Sequence, residues 1–198
     1  MVALRPSRLS HVEAASAPVI AVTAWQMLFD YGNAKSNQTV MILGAAGNVG
    51  AYAVQLAARA GTHVIAVVGS HDMDYVRSLG SETVLDYKAD RFENAVSSVD
   101  LVLDTVGGGT LDRAHHLIRP GGVVVSVVST AGWPGVRTVF FYVEVTTERL
   151  NTISALFDRA ELAPQVGTLL PLEDARTAHK MLGGAPHGRG KIVLQVAE

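Results

Sequence analysis

The stretch that most constrains this chain is residues 39–61, TVMILGAAGNVGAYAVQLAARAG. It opens on the apolar run 40–43, too short for a helix and suited to a buried strand. Gly44, Gly47 and Gly50 follow within GAAGNVG, and Val49, Ala53, Val54, Leu56 and Ala57 then recur at helical spacing. A strand, a tight glycine turn and a helix form the first unit of a dinucleotide-binding α/β sheet. Glycine there lets the backbone turn sharply and come close to a pyrophosphate, which rests on the unpaired N–H groups and positive dipole end of the new helix. The usual spacing is G-x-G-x-x-G. Here Ala45 and Ala46 precede the central glycine, giving G-x-x-G-x-x-G. Because 19 of the 198 residues are glycine, the triplet draws its meaning from context: a strand before it, a helix after it, and a second strand at His63–Val68. The competing reading is a structural βαβ turn that holds no ligand.

The second strand ends at Gly69-Ser70-His71, about 20 residues past the last glycine, where NAD-binding folds place a carboxylate on the ribose 2′-hydroxyl. A small residue and a hydroxyl stand there instead, which favours NADP over NAD. Asp72 and Asp74 follow closely, and no Lys or Arg comes before Arg77. Helices are expected at 73–79, 92–96 and 110–118, alternating with strands at 83–87, 101–106 and 123–128. That rhythm argues for a parallel, doubly wound sheet, whose ligands bind beyond the carboxyl ends of the strands. Residues 44–50, 69–71, 104–107 and 128–130 then share one rim. Tyr87 is either a strand-end aromatic or a neighbour of the adenine ribose phosphate.

Residues 1–18 form a lead-in, and residues 19–31 carry apolar positions at helical spacing. Tyr31 and Lys35 make a Y-x-x-x-K, the catalytic pair of short-chain dehydrogenases. It precedes the glycine turn rather than following it, so the match is accidental. The run from Val136 to Val145, VRTVFFYVEV, reads as a long edge strand. An edge this apolar calls for a cover, so homodimerisation is expected there. A helix at 147–160 closes the sheet domain, expected to span 19–162. The remainder, 163–198, holds an extended run at 165–170, a helix near 172–182 and a last strand at 192–196, in a neighbouring layer.

Other classes of function are excluded by composition. A formal charge of −2 with no basic cluster gives no footing for nucleic acid. There is no cysteine, so disulfides and thiolate metal sites are ruled out. Seven histidines remain, none in H-E-x-x-H. His115 and His116 are expected on different faces of a helix, poorly placed to share a metal. No apolar run spans a membrane and the N-terminus lacks a signal-type apolar core, so a soluble cytoplasmic protein is expected.

Taken together, VTAWQMLFDYG, TVMILGAAGNVG, VRSLGSETVLDY, DLVLDTVGGGTLDRA, LIRPGGVVVSV, FFYVE, PLEDARTAHKML and RGKIVLQV stand in one order across residues 8–197. In that order the chain resembles the medium-chain dehydrogenase/reductase superfamily, in its zinc-free quinone oxidoreductase and enoyl-reductase-like branch. The resemblance implies a Rossmann sheet with C-terminal remnants of a GroES-like β domain, the N-terminal part of that domain not being represented. It implies that Gly44, Ala46, Gly47, Asn48 and Val49 hold the pyrophosphate, and that Gly69, Ser70, His71 and Tyr87 surround the 2′-phosphate. A lysine that often assists there aligns with Asp72. Asp104, Thr105 and Val106 are implied on the ribose side of the nicotinamide. Thr23, Val128, Ser129 and the backbone of Phe140, Phe141 and Tyr142 are implied beside the nicotinamide itself.

The implied activity is NADPH-dependent hydride transfer to a quinone or an α,β-unsaturated carbonyl compound, without zinc. No residue is assigned as catalytic acid. A second class stays open: a non-catalytic NAD(P)H-binding protein, either a redox sensor or a subunit that lends its cofactor domain to a partner. A methyltransferase reading is weaker, because its second strand should end in a carboxylate for the adenosine hydroxyls.

Overall fold

The computed structural model describes residues 1–88, 92–129 and 132–196. The chain divides into two compact units, one made of Met1–Ile20 with Val145–Glu198, the other of Ala21–Glu144. The helix expected to close the sheet domain thus groups with the terminal segments.

The second unit is built on six parallel strands: β1 (Thr39–Leu43), β2 (His63–Val68), β3 (Thr83–Asp86), β4 (Val99–Asp104), β5 (Ile118–Ser126) and β6 (Arg137–Phe140). Their order is β3-β2-β1-β4-β5-β6, the doubly wound Rossmann arrangement. β1 and β2 are buried almost end to end, as a parallel sheet covered on both faces requires. One face is a single apolar cluster in which Met41, Leu43, Ile65, Val67, Val102 and Val124 meet Phe92, Leu111 and Leu117. The register aligns Leu85, Val67, Leu43, Asp104, Ser126 and Phe140 in one row across the sheet. That row is the base of the carboxyl rim.

Several boundaries differ from expectation. β4 stops at Asp104 and β5 at Ser126, so Thr105, Val106 and Val128 lie in loops. The expected strand from Val136 to Val145 is corrected to four residues, Arg137–Phe140. Its pairing ends with Ser126↔Phe140, because β5 turns away at Ser126 and leaves nothing further to bond. β6 is an edge strand, as expected. His115 and His116 do not diverge: their ring centroids are 3.7 Å apart, and His115 stacks on Trp133 at 4.7 Å with planes 10° apart. They sit in a short 3-10 turn, where the Trp133 ring holds the His115 ring against its face.

In the first unit, α1 (His11–Ser16) was not foreseen from apolar periodicity; its signal is a capping box. The Ser10 hydroxyl accepts from Glu13 N–H, while Glu13 accepts from Ser10 N–H at 2.8 Å. α6 (Thr147–Asp158) receives the lead-in, with Ser7 N–H and Oγ–H donating to Asp158 Oδ1 at 2.6 and 2.8 Å. β7 (Val166–Pro171) and β8 (Lys191–Gln195) form a parallel pair, with α7 (Ala175–Leu182) between them in sequence. A cavity of about 420 Å³, lined by Leu9, Ala14, Leu150, Ile153 and Phe157 among others, lies wholly within this unit.

Two carboxylates that bond the lead-in, its own Glu13 and Asp158 of α6, titrate low. Glu13 is lowered by the Ser10 backbone N–H and then its hydroxyl, and Asp158 by the Ser7 hydroxyl above all. A lowered folded-state value stabilises above the unfolded pKa and is lost as pH falls through the folded one. These bonds should therefore hold the lead-in at neutral pH and weaken as the pH falls below the ordinary carboxylate range. Amide exchange of Ser7 and Ser10 from pH 6 to 3 checks this; protection that does not change with pH would contradict it.

Candidate functional site

At the carboxyl end of β1, Gly44 takes φ +75°, a conformation that L side chains rarely adopt. A Cβ there would lie 2.5 Å from Thr105 Oγ1 and 2.6 Å from Val106 Cγ2, so the glycine allows β1 and β4 to keep their loops in contact. The turn is held by Gly44 N–H to Val67 O at 3.1 Å and Gly47 N–H to Gly44 O at 2.9 Å. Gly47 is the exposed N-cap of α3 (Asn48–Arg59), and no side chain caps that helix. The first amides of a twelve-residue helix therefore open onto the turn, as an anion site needs. Asn48 adds an orphan: among the described residues its buried Oδ1 has no hydrogen-bond partner. Ala46 and Val49 flank the same turn, both partly buried.

Beside β1, the end of β2 gathers a second group. A Cβ on Gly69 would meet the His71 ring at 3.0 Å and the Tyr87 ring at 3.6 Å, so glycine lets these two rings converge. Ser70 and His71 are exposed, and His71 Nε2 lies 3.1 Å from Asp72 Oδ2. Two cations were given no site role from sequence, although Lys88 was expected beside Tyr87 at the exposed end of the third strand. Lys88 places its Nζ 5.5 Å from the centre of the Tyr87 ring. Arg113 of α5 (Gly108–Ala114) donates to Tyr87 O at 2.8 Å and to Glu93 through two nitrogens, at 3.1 and 2.7 Å. Position after a strand end was the only available signal for Lys88. Arg113 carried none, standing 26 residues from its partner.

Asp104 requires a correction. It was expected to line the ribose side, but it is 0% exposed and its carboxylate is turned inward. Oδ1 accepts from Val106 N–H at 3.0 Å and Gly107 N–H at 2.8 Å, and Oδ2 from Ser126 Oγ–H at 2.7 Å. Ser126 Oγ in turn accepts from Val128 N–H and Ser129 N–H, at 3.2 and 2.9 Å. One buried carboxylate thus sets the shape of both loops, and burial of the charge is tolerated because donors surround it. Thr105 is fastened separately, its hydroxyl donating to Leu43 O at 2.8 Å. The side chains presented outward are apolar: Val106 is 53% and Val128 52% exposed. Thr130, expected on this rim, lies outside the described residues.

Beyond β6, Tyr142 is 85% exposed and meets Phe140 edge-on at 5.3 Å. Phe141 instead is buried with its ring 4.4 Å from that of Tyr31, a packing role. Thr23 is buried in α2 (Pro18–Trp25). Sequence reasoning missed Gln26, which opens a π-helical turn at Gln26–Tyr31 and is fully buried.

This geometry defines an α/β protein with a glycine turn and an uncapped helix start at the centre of a doubly wound parallel sheet. The chain matches the family of zinc-binding dehydrogenases over residues 79–194. It belongs to that family, within the quinone oxidoreductase-like branch of the medium-chain dehydrogenase/reductase superfamily. It is 29% identical to the mitochondrial NAD(P)H oxidoreductase of Homo sapiens, over 97% of this chain and 57% of that protein. It is 31% identical to 2-methylene-furan-3-one reductase of Solanum lycopersicum, over 84% of this chain and 42% of that one. The solved quinone oxidoreductase of Coxiella burnetii superposes with a TM-score of 0.88 at 30% identity, over 96% of this chain and 62% of the other. The chain thus spans less than two thirds of the length of these relatives. The sequence has no cysteine, and among the described residues no group of three or more His, Asp or Glu is placed to hold a metal ion. Nor is any described helix long and apolar enough to cross a membrane.

Proposed function

We propose that this chain is the cofactor-binding part of an NADPH-dependent oxidoreductase that reduces quinones or α,β-unsaturated carbonyl compounds. The observation that carries the reading is the exposed, uncapped start of α3 beneath the turn at Gly44 and Gly47. The amides of Gly47, Asn48 and Val49 would hold the pyrophosphate, and Ser70, His71, Tyr87 and Lys88 would surround the adenosine phosphate. Thr105, Val106, Val128 and Ser129 would flank the nicotinamide, which supplies a hydride from its C4 carbon when bound. Val106 and Val128 would keep water from that carbon, and Asp104 would fix their loops without touching the ligand. The reading sets the protein in the cytoplasm, takes residues 163–198 as the returning end of a substrate domain, and pairs two copies through the edge of β6. Turnover of NADPH with a quinone or enone tests it; binding without turnover would favour the non-catalytic alternative. That alternative draws support from the burial of Asp104, which leaves this carboxylate no access to a substrate.

The choice of NADP rests on Ser70, and Asp72 opposes it. Its carboxylate beside His71 repels a 2′-phosphate and occupies the imidazole that would otherwise bind one. Asp72→Asn is therefore expected to raise affinity for NADPH relative to NADH by about five- to tenfold, measured by nicotinamide fluorescence. An unchanged ratio would move the phosphate away from this corner.

A further inference from the structure

We infer that Gln26 is a positioning residue that clamps the rim segment 141–144 and couples its seating to binding of the nicotinamide half of the cofactor. The inference rests on the cofactor reading above. Gln26 is 0% exposed at the first residue of the π-helical turn, and its Oε1 accepts from Glu144 N–H at 3.0 Å. That bond fixes the amide orientation, since only the oxygen can face an N–H. The NH₂ end is thereby fixed too, and among the described residues Nε2 has no partner.

Leaving a buried amide donor unmet is costly, and native proteins keep such groups rarely. A methionine would fill similar space without that cost. The segment held by Oε1 has no regular structure from residue 141 to 146 and carries the exposed Tyr142, directly after the last paired residue of the sheet. It stands at the end of the aligned row, on the rim where such sheets take their ligands. In this inference the ligand-bound segment supplies Nε2 with a backbone carbonyl, so the donor is satisfied when the stretch that carries Tyr142 is seated. The π-helical turn fits this role, since such insertions recur where a helix has been adapted for function. Energy withheld in the free protein is then released on binding, and only a ligand that contacts this segment can claim it.

The test compares Gln26→Met with the parent chain, using NADPH and 2′-phospho-ADP-ribose, which lacks the nicotinamide. The variant should fold with an unchanged or higher Tm. It should lose about tenfold in affinity for NADPH and bind the fragment as the parent does. Equal losses for both ligands, or for neither, would overturn the role of Gln26. Failure of the parent to bind either ligand would instead overturn the cofactor reading on which it rests. If the variant does not fold, amide exchange on the parent decides: NADPH should protect residues 141–144 and the fragment should not. Equal protection by both would contradict the coupling.

Discussion

Replacing Gly50 with alanine is expected to destabilise the protein by about 3 kcal/mol and to lower cofactor affinity at least tenfold. A Cβ at this position would overlap the Gly44 carbonyl oxygen and stand 2.8 Å from Ala45 Cα. Both obstacles are backbone, so no rotamer change relieves them. The first turn of α3 would have to lift from the end of β1, and the amides at the anion site would lose their aim. Gly109 gives the control, because a Cβ there meets nothing within 4 Å. Gly109→Ala should leave both quantities near those of the parent. Urea unfolding and nicotinamide fluorescence read the two effects, and equal behaviour of the two variants would refute the packing argument.

Asp104→Ala should be as damaging for a different reason. It removes the acceptor for Val106 N–H, Gly107 N–H and Ser126 Oγ–H in a site closed to water. Breaking a buried charged network of this kind costs about 3–5 kcal/mol. Asp104→Asn should cost less, about 1–2 kcal/mol. Its oxygen can still accept the two loop amides, but its NH₂ now faces Ser126 Oγ, which already accepts from Val128 and Ser129. The ranking Ala worse than Asn, measured by chemical denaturation, is the outcome to look for. An alanine variant as stable as the parent would mean that the two loops are held by something other than this carboxylate.

The sheet was legible in the sequence because parallel strands buried on both faces must be continuous apolar runs. β2 was located to the residue at His63–Val68, and β1 to within one residue at Thr39–Leu43. The turn was legible because only glycine tolerates both the φ of Gly44 and the crowding at Gly50. Composition misled at the edge: VRTVFFYVEV has strand character throughout, but a strand lasts only as long as its neighbour, and β5 ends at Ser126. Asp104 was found as a rim residue and misjudged in direction, since a strand-end carboxylate looks the same in sequence whether it faces ligand or loop. Gln26 and Arg113 were invisible because their partners, Glu144 and Tyr87, come from distant parts of the chain. Polar residues on apolar elements were the only hint, and that hint does not name a partner.

The most direct test of the central claim is a titration of the purified 198-residue chain with NADPH and with NADH, followed by nicotinamide fluorescence. The account expects saturable binding of NADPH, tighter than that of NADH and abolished in Gly50→Ala. Binding of neither cofactor by the parent chain would contradict it.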